Sequence, residues 1–167
     1  MKAWPQGVFR WRYNPANYPE WLDAGQAAAL VQAAAKKWET CGVRMEYLGE
    51  TALSPGTIDG ENVVGWVPEL PQGVRALTQG RGKSDQILER DITIAANRQE
   101  FRRFPRLLEK VIVHEFGHAI GLTHSPVCTD VMTLAADCPR TPAALLPVLP
   151  TENDLKRCRA LYADPRR

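Results

Sequence analysis

All three histidines of this 167-residue chain lie within eleven consecutive residues, from His114 to His124. His114 and His118 are four residues apart, and on an α-helix this spacing points both imidazoles from one face. Two neutral imidazoles placed in this way can bind one Zn²⁺ ion at about 2.0–2.1 Å. Glu115 is rotated by about 100° from His114, so its carboxylate lies beside such an ion without ligating it. The run therefore predicts a helix that carries a metal site.

Gly121 predicts where this helix ends. A glycine in the left-handed conformation closes a helix and turns the chain sharply. After such a turn His124 can return to the metal as a third ligand, whereas a continued helix would carry it away. Three histidine ligands leave one position of zinc open to water, as in catalytic sites, while structural sites are closed by four protein ligands.

The rest of the chain predicts an α+β fold. Five short segments have the residue pattern of strands: 8–13, 43–48, 62–67, 74–78 and 87–95. Three segments have helical spacing, capping residues or a proline in the first turn: 23–40, 105–121 and 151–161. Residues 79–84 predict a glycine-rich turn, and 139–150, with four prolines, predict an irregular segment. This order favours an α+β or α/β sandwich, with one sheet against two helices.

The motif resembles that of a known family. Residues 114–124 match H-E-x-x-H-x-x-G-x-x-H, the signature of the metzincin metallopeptidases. Asp130-Val131-Met132 is similar to the methionine turn of that family, and Ser125 follows the third histidine as it does in matrixins. The chain most resembles a matrixin catalytic domain, of bacterial type. This resemblance implies a twisted mixed sheet on two helices, an active-site helix and an irregular C-terminal part ending in a helix.

The resemblance also implies a role for each residue of the signature. The histidine triad (His114, His118 and His124) would ligate one catalytic Zn²⁺, and Met132 would form the floor beneath the imidazoles. Glu115 would activate a zinc-bound water for the hydrolysis of internal peptide bonds. The implied partner is a protein or peptide substrate.

Substrate-binding residues are expected on both sides of this helix. An extended peptide would pair with the strand at 74–78, where Ala76 would contact it. The S1′ pocket, which takes the side chain after the cleaved bond, would lie between the helix and residues 132–140. Leu134 would line this pocket, which indicates an apolar residue at that position of the substrate.

One catalytic domain is expected over residues 1–167, with an N-terminal subdomain at 1–121 and a C-terminal subdomain at 122–167. Because no histidine lies outside the motif, a second, histidine-bound structural zinc is not expected. Acidic side chains at Asp59, Asp85 and Asp91 offer oxygen ligands for calcium, but no calcium-binding motif supports such a site.

A metal that only stabilises the fold is the alternative to catalysis. The chain would then be a zinc-stabilised, non-catalytic protein-binding domain, and a fourth side chain would close the metal site. Because Glu115 is present and no fourth ligand is evident near the motif, the sequence favours the enzyme.

Four cysteines, none of them in a C-x-x-C pair, predict two disulfides and an oxidising compartment. Three connectivities are open. Cys128 and Cys138 flank Met132 closely, which favours pairing them and leaves Cys41 with Cys158. We therefore expect a secreted or extracytoplasmic protein, although the N-terminal residues have no hydrophobic run typical of a signal peptide.

Charge and hydropathy exclude two classes of partner. Lys and Arg number 21 against 19 Asp and Glu, and this net charge of +2 is too small for the dense cationic face of a nucleic-acid-binding protein. No stretch approaches the ~18 consecutive apolar residues of a membrane helix. We expect a monomer that binds neither nucleic acid nor membrane.

Overall fold

The computed structural model describes residues 1–163, and its regular elements are five strands and four α-helices. The strands are β1 (Val8–Asn14), β2 (Arg44–Glu50), β3 (Val63–Val67), β4 (Ala76–Lys83) and β5 (Gln86–Ala95). The helices are α1 (Ala24–Lys36), α2 (Gln99–Arg103), α3 (Pro105–Ala119) and α4 (Glu152–Tyr162). Short 3₁₀ turns lie at Pro5–Gly7, Glu39–Cys41, Ala135–Asp137 and Ala143–Leu145.

The five strands form one mixed sheet in the order β2-β1-β3-β5-β4. Neighbouring strands are parallel, except that β4 runs antiparallel to β5 and forms one edge. Helices α1 and α3 contact each other and the sheet, and the core lies between these layers. The α+β fold class predicted from the sequence is confirmed.

Buried tryptophan side chains form hydrogen bonds between elements of the core. Trp11, Trp38 and Trp66 are buried in the core. The indole of Trp38, just after α1, donates a 2.9 Å hydrogen bond to the carbonyl of Val113 in α3. Trp66 of β3 donates one at 2.7 Å to the hydroxyl of Tyr13 in β1. The buried indoles of Trp38 and Trp66 therefore avoid the cost of an unpaired donor, whereas the buried indole N–H of Trp11 has no hydrogen-bond partner within residues 1–163.

The edge strand β4 is longer than the sequence predicted. It begins at Ala76 rather than at residue 74, and it continues to Lys83, so the glycine-rich turn predicted at 79–84 was wrong. A Cβ at Gly80 would lie 1.9 Å from the carbonyl oxygen of Glu89 in β5. A glycine is therefore needed at position 80 because the two paired strands approach each other closely there. The turn between β4 and β5 follows at Ser84, which has a positive φ of 54°.

The helix ends also differ in part from the prediction. α1 ends at Lys36, short of the predicted residue 40, and a 3₁₀ turn follows it. The capping boxes expected at Asp23 and Thr151 are both present. The short helix α2 was not predicted, since its N-cap residue, Arg98, makes no side-chain capping bond.

Two buried carboxylates of β5 anchor the long loop between β2 and β3. Asp91 accepts hydrogen bonds from the backbone N–H groups of Gly56 and Val63 at 2.6 and 2.8 Å. Glu89 accepts two more from the same loop, at 2.7 and 2.9 Å. Burial raises the pKa of Asp91 to about 6. The two carboxylate oxygens of Asp91 accept hydrogen bonds from this loop. This role explains the acidic side chain at a position that the sequence offered as an oxygen ligand for calcium.

Two disulfides hold the C-terminal part. Cys41 bonds to Cys158 and thereby joins the turn after α1 to α4, while Cys128 bonds to Cys138 across the segment that contains Met132. These are the two pairs that the sequence favoured. Between residues 122 and 151 the chain has neither an α-helix nor a strand.

The division into subdomains near residue 121 stays a prediction, and its last four residues, 164–167, lie outside the described part. Within residues 1–163, no helix has both the length and the hydropathy that crossing a bilayer requires.

Candidate metal centre

The histidine triad converges at the end of α3. His114 and His118 lie one turn apart on this helix, with ring centroids 4.6 Å from each other. The ring of His124 lies 4.8 Å from that of His118 and 5.3 Å from that of His114. One nitrogen from each ring lies within 4.8 Å of the others. Within residues 1–163, no other group of three His, Cys, Asp or Glu side chains has this geometry.

Gly121 produces the turn that returns His124. Its φ is 102°, in the left-handed region, and its N–H donates to the carbonyl of His118 at 2.9 Å as the helix closes. A Cβ at this position would lie 1.9 Å from the carbonyl oxygen of Lys2, whose segment crosses the helix end. Only glycine satisfies both the conformation and the close approach.

Backbone carbonyls fix the protonation of the two helical imidazoles. Nδ1 of His114 lies 2.8 Å from the carbonyl oxygen of Val131, and Nδ1 of His118 lies 2.8 Å from that of Leu122. A carbonyl only accepts, so Nδ1 carries the hydrogen in both rings and Nε2 keeps its lone pair. Nε2 of His118 is 3.2 Å from Nε2 of His124, so the two must share a proton or a cation.

Burial keeps these imidazoles neutral. It lowers the pKa of all three below the usual 6.5, and that of His114 to about 3. Neutral nitrogen donors in a three-histidine set are what Zn²⁺ prefers. The residues present therefore fit the ion that the sequence predicts.

Glu115 lies buried beside the triad. Thr78, on the edge strand β4, donates a 2.7 Å hydrogen bond from its hydroxyl to Oε2 of Glu115. Burial raises the pKa of Glu115, while this hydrogen bond acts in the opposite direction. The carboxylate is not part of the metal-ligating group, so it is free to exchange protons.

Met132 lies directly against α3. It is buried, and a Cβ at Gly117 would lie 2.2 Å from its Sδ. The carbonyl of Met132 accepts from the N–H of Ser125 at 2.9 Å. The N–H of Val131 donates to the buried carboxylate of Asp154 in α4 at 2.8 Å. The glycine between His114 and His118 thus allows this turn to pack against α3.

Comparison with known proteins agrees with this geometry. The profile of the Matrixin family of peptidases matches residues 71–163, more than half of the chain. The chain belongs to the matrixin family. This finding confirms the resemblance drawn from the motif, and it indicates a zinc metallopeptidase that acts on proteins or peptides. No curated protein matches the chain.

The fold of this matrixin also occurs among solved structures. One chain of the GM1-bound form of the ECX AB5 holotoxin superposes with a TM-score of 0.60 and is 11% identical in sequence. The match covers 93% of the matrixin chain and 80% of the other. At this identity the likeness concerns the fold alone.

A cavity of about 410 Å³ lies next to the triad. Its walls are the start of β4, one face of α3 and residues 133–134. Ala76 and Leu134, the two residues expected to contact substrate, both line it. Their roles stay predictions. A second cavity, of about 590 Å³, adjoins the first and extends along the segment 138–147.

Three residues near the site were missed from the sequence. Thr78 lies within the predicted edge strand, but nothing local signalled its contact with Glu115. Lys110 lines both cavities and precedes His114 by one helical turn, so the 3.6-residue periodicity could have found it. Arg157 of α4 donates to the carbonyls of Thr123 and His124 at 2.8 and 3.2 Å, a long-range contact without a sequence signal.

Proposed function

We propose that this matrixin is a zinc-dependent endopeptidase whose ion is held by His114, His118 and His124. The observation that carries the proposal is the convergence of the three ring nitrogens, two of them with the tautomer set by backbone carbonyls. When bound, Zn²⁺ supplies Lewis acidity that polarises the scissile carbonyl and acidifies water.

In this proposal Glu115 is the general base and then the general acid. Thr78 occupies Oε2, which leaves Oε1 to accept a proton from the attacking water. The burial that raises the pKa of Glu115 favours its keeping that proton until the leaving amine takes it. Proton transfer of this kind is typically worth 10²–10⁴ in rate.

The edge strand β4 would bind an extended peptide substrate by backbone hydrogen bonds. β4 pairs with β5 on one side only, so the backbone groups on its other side are open to a substrate strand. Ala76 and Leu134 would contact the substrate on the two sides of the cleft, and Met132 would support the triad from beneath. We also propose secretion or another extracytoplasmic location, because the two disulfides fit an oxidising compartment.

The alternative, a zinc-stabilised binding domain without catalysis, requires a fourth protein ligand. The metal-ligating group found in the described residues consists of the three histidines, which favours the open site of an enzyme.

Hydrolysis of casein by the zinc-loaded protein, with and without 1,10-phenanthroline, tests the proposal. We expect cleavage that the chelator abolishes and that added zinc restores. Glu115→Ala should still bind one zinc ion but lose about 10²–10⁴ in rate. Glu69→Gln, which changes an exposed carboxylate that lines neither cavity beside the triad, is the control and should cleave normally. If the zinc-loaded protein cleaves no unfolded protein, the binding-domain alternative replaces the enzyme.

A further inference from the structure

The two cavities beside the metal centre meet at a basic side chain. Lys110, Arg75 and Thr133 line both the 410 Å³ cavity next to the triad and the 590 Å³ cavity behind it. Lys110 is half-buried on α3. Because it lies four residues before His114, it shares that face of the helix at about 6 Å along the axis. A substrate side chain that enters from the metal centre therefore travels towards Lys110.

The charge of Lys110 has no partner in the described protein. Its ammonium makes one long hydrogen bond, 3.4 Å to the carbonyl oxygen of Thr133. No carboxylate oxygen within residues 1–163 lies within 4.0 Å of it. Burial and then the charge of Arg75 lower the pKa of Lys110. A partly buried ammonium without a counter-ion is costly, and a ligand carboxylate would offset that cost.

The neighbouring charges are already engaged. Arg75 forms a two-pronged ion pair with Glu100, at 2.7 and 3.2 Å. Glu115 receives the hydroxyl of Thr78, and Asp154 receives the N–H of Val131. These last two carboxylates raise the pKa of Lys110 only from beyond ion-pair distance. Of the two cations that line both cavities, Arg75 is paired and Lys110 is not paired within residues 1–163, so the junction keeps one unpaired positive charge.

We propose that Lys110 determines specificity by selecting an acidic side chain, Asp or Glu, at the substrate residue that follows the cleaved bond. This inference rests on the proposed peptidase function, and it replaces the apolar preference expected from Leu134. The apolar wall formed by Val111 and Leu134 contacts the stem of such a side chain, and Lys110 binds its carboxylate. A hydrogen bond between charged groups is stronger than one between neutral groups, which gives the discrimination.

Four peptides that differ only at this residue, with Glu, Gln, Leu or Lys, test the proposal. The wild-type enzyme should cleave the Glu peptide at least about tenfold faster in kcat/KM than the isosteric Gln peptide. Lys110→Gln should lose that preference, so that its kcat/KM values on the Glu and Gln peptides become similar. Lys110→Glu should favour the Lys peptide instead. Lys156→Gln removes a positive charge from an exposed position that lines neither cavity, and it should behave as wild type.

A reversal of preference by the charge swap is a result that a merely structural lysine would not give. Equal cleavage of the Glu and Gln peptides, or a preference for Leu that Lys110→Gln does not alter, would overturn the inference and leave the peptidase function standing. If no peptide and no casein is cleaved, the proposed function fails. Binding of the same peptides to zinc-loaded Glu115→Ala, followed by fluorescence anisotropy, then decides: tighter binding of Glu than of Gln supports the pocket, and equal binding contradicts it.

Discussion

The two halves of the metal centre are held in different ways. The helical half lies on α3, where regular backbone hydrogen bonds place His114, Glu115 and His118. The other half, residues 122–150, contains His124, Met132 and Leu134 but no α-helix or strand. The Cys128–Cys138 disulfide closes a loop within this wall segment, and the buried carboxylate of Asp154 and the guanidinium of Arg157 hold it from α4. One half of the site is therefore encoded locally, and the other depends on the rest of the fold.

Removal of each disulfide in turn should distinguish the stability of the whole fold from the order of the wall segment. These variants should lose more unfolding free energy than any of the others described below. Cys41 and Cys158 are 117 residues apart, whereas Cys128 and Cys138 are 10 apart. In the loop-entropy model, the double alanine variant of the long pair loses about 5 kcal/mol of unfolding free energy and that of the short pair about 3 kcal/mol. Urea denaturation at fixed zinc concentration measures both.

The activity of the same two variants sharpens this comparison. Because the short pair closes the wall of the cleft, its loss should lower kcat/KM more than loss of the long pair, at temperatures where both variants are folded. A larger loss of activity from the long pair would mean that the wall segment is ordered by its other contacts.

The joint between the two halves is tested by Gly121→Ala, with Gly42→Ala as the matched control. Both glycines have φ near 100°, but nothing lies within 4 Å of a Cβ at Gly42. Gly42→Ala should cost about 1–2 kcal/mol for the left-handed conformation. Gly121→Ala should cost roughly 1–3 kcal/mol more, because its methyl group meets the carbonyl of Lys2.

Zinc affinity distinguishes the two glycine variants further. Gly121→Ala should weaken binding by displacing His124, and Gly42→Ala should leave it unchanged. Thermal denaturation and a competitive zinc titration make the comparison. Equal stability losses in the two variants would show that the close approach to Lys2 carries no cost.

Arg157→Gln should loosen the wall segment without unfolding the helix. Arg157 donates to the backbone carbonyls of Thr123 and His124, so its loss frees the third ligand. Loss of a hydrogen bond that orients a metal ligand typically lowers the metal affinity 10–100-fold. Arg159→Gln, on the same helix but paired with Glu152 at the surface, is the control and should retain full affinity. An unchanged affinity in Arg157→Gln would mean that His124 is positioned without α4.

The smallest effect concerns the pH dependence of the metal-free protein. Burial lowers the pKa of His114 to about 3, whereas an unfolded histidine titrates near 6.5. Between these values the unfolded state binds more protons, so stability is greatest above pH 6.5 and falls as the pH is lowered. From pH 6.5 to 5, His114 should account for at most about 2 kcal/mol.

Urea denaturation of the EDTA-treated protein at several pH values, compared with His114→Gln, isolates this contribution. The variant should lose less stability on acidification than the wild type. Parallel curves for the two proteins would show that His114 is protonated in the folded protein at the same pH as in the unfolded one.

Much of the helical half could be predicted because its information is local. The spacing of His114, Glu115 and His118 and the glycine at 121 act within a few residues, as do the capping boxes that begin α1 and α4 elsewhere in the fold. Alternation and β-branched residues likewise gave the positions of all five strands, with β4 misjudged at both of its ends. Its glycines were interpreted as a turn, because nothing local shows that Gly80 lies against Glu89 of the next strand.

The wall of the site could not be predicted in the same way. Arg157 contacts a loop more than thirty residues earlier in the chain, and Thr78 reaches Glu115 across 37 residues. Neither contact follows from periodicity or capping, because both depend on how the elements pack. Lys110 is the intermediate case: its position on the helix face follows from the sequence, but its lack of an ion-pair partner does not.

X-ray absorption at the zinc K-edge tests the central claim most directly, because it counts the ligands that the two halves of the site contribute to one ion. With one equivalent of zinc at pH 7, we predict three histidine nitrogens and one light oxygen ligand at about 2.0–2.1 Å, and two histidines when His124 is replaced by alanine. A wild-type site with only two histidines, or with a sulfur ligand at about 2.3 Å, would contradict the account.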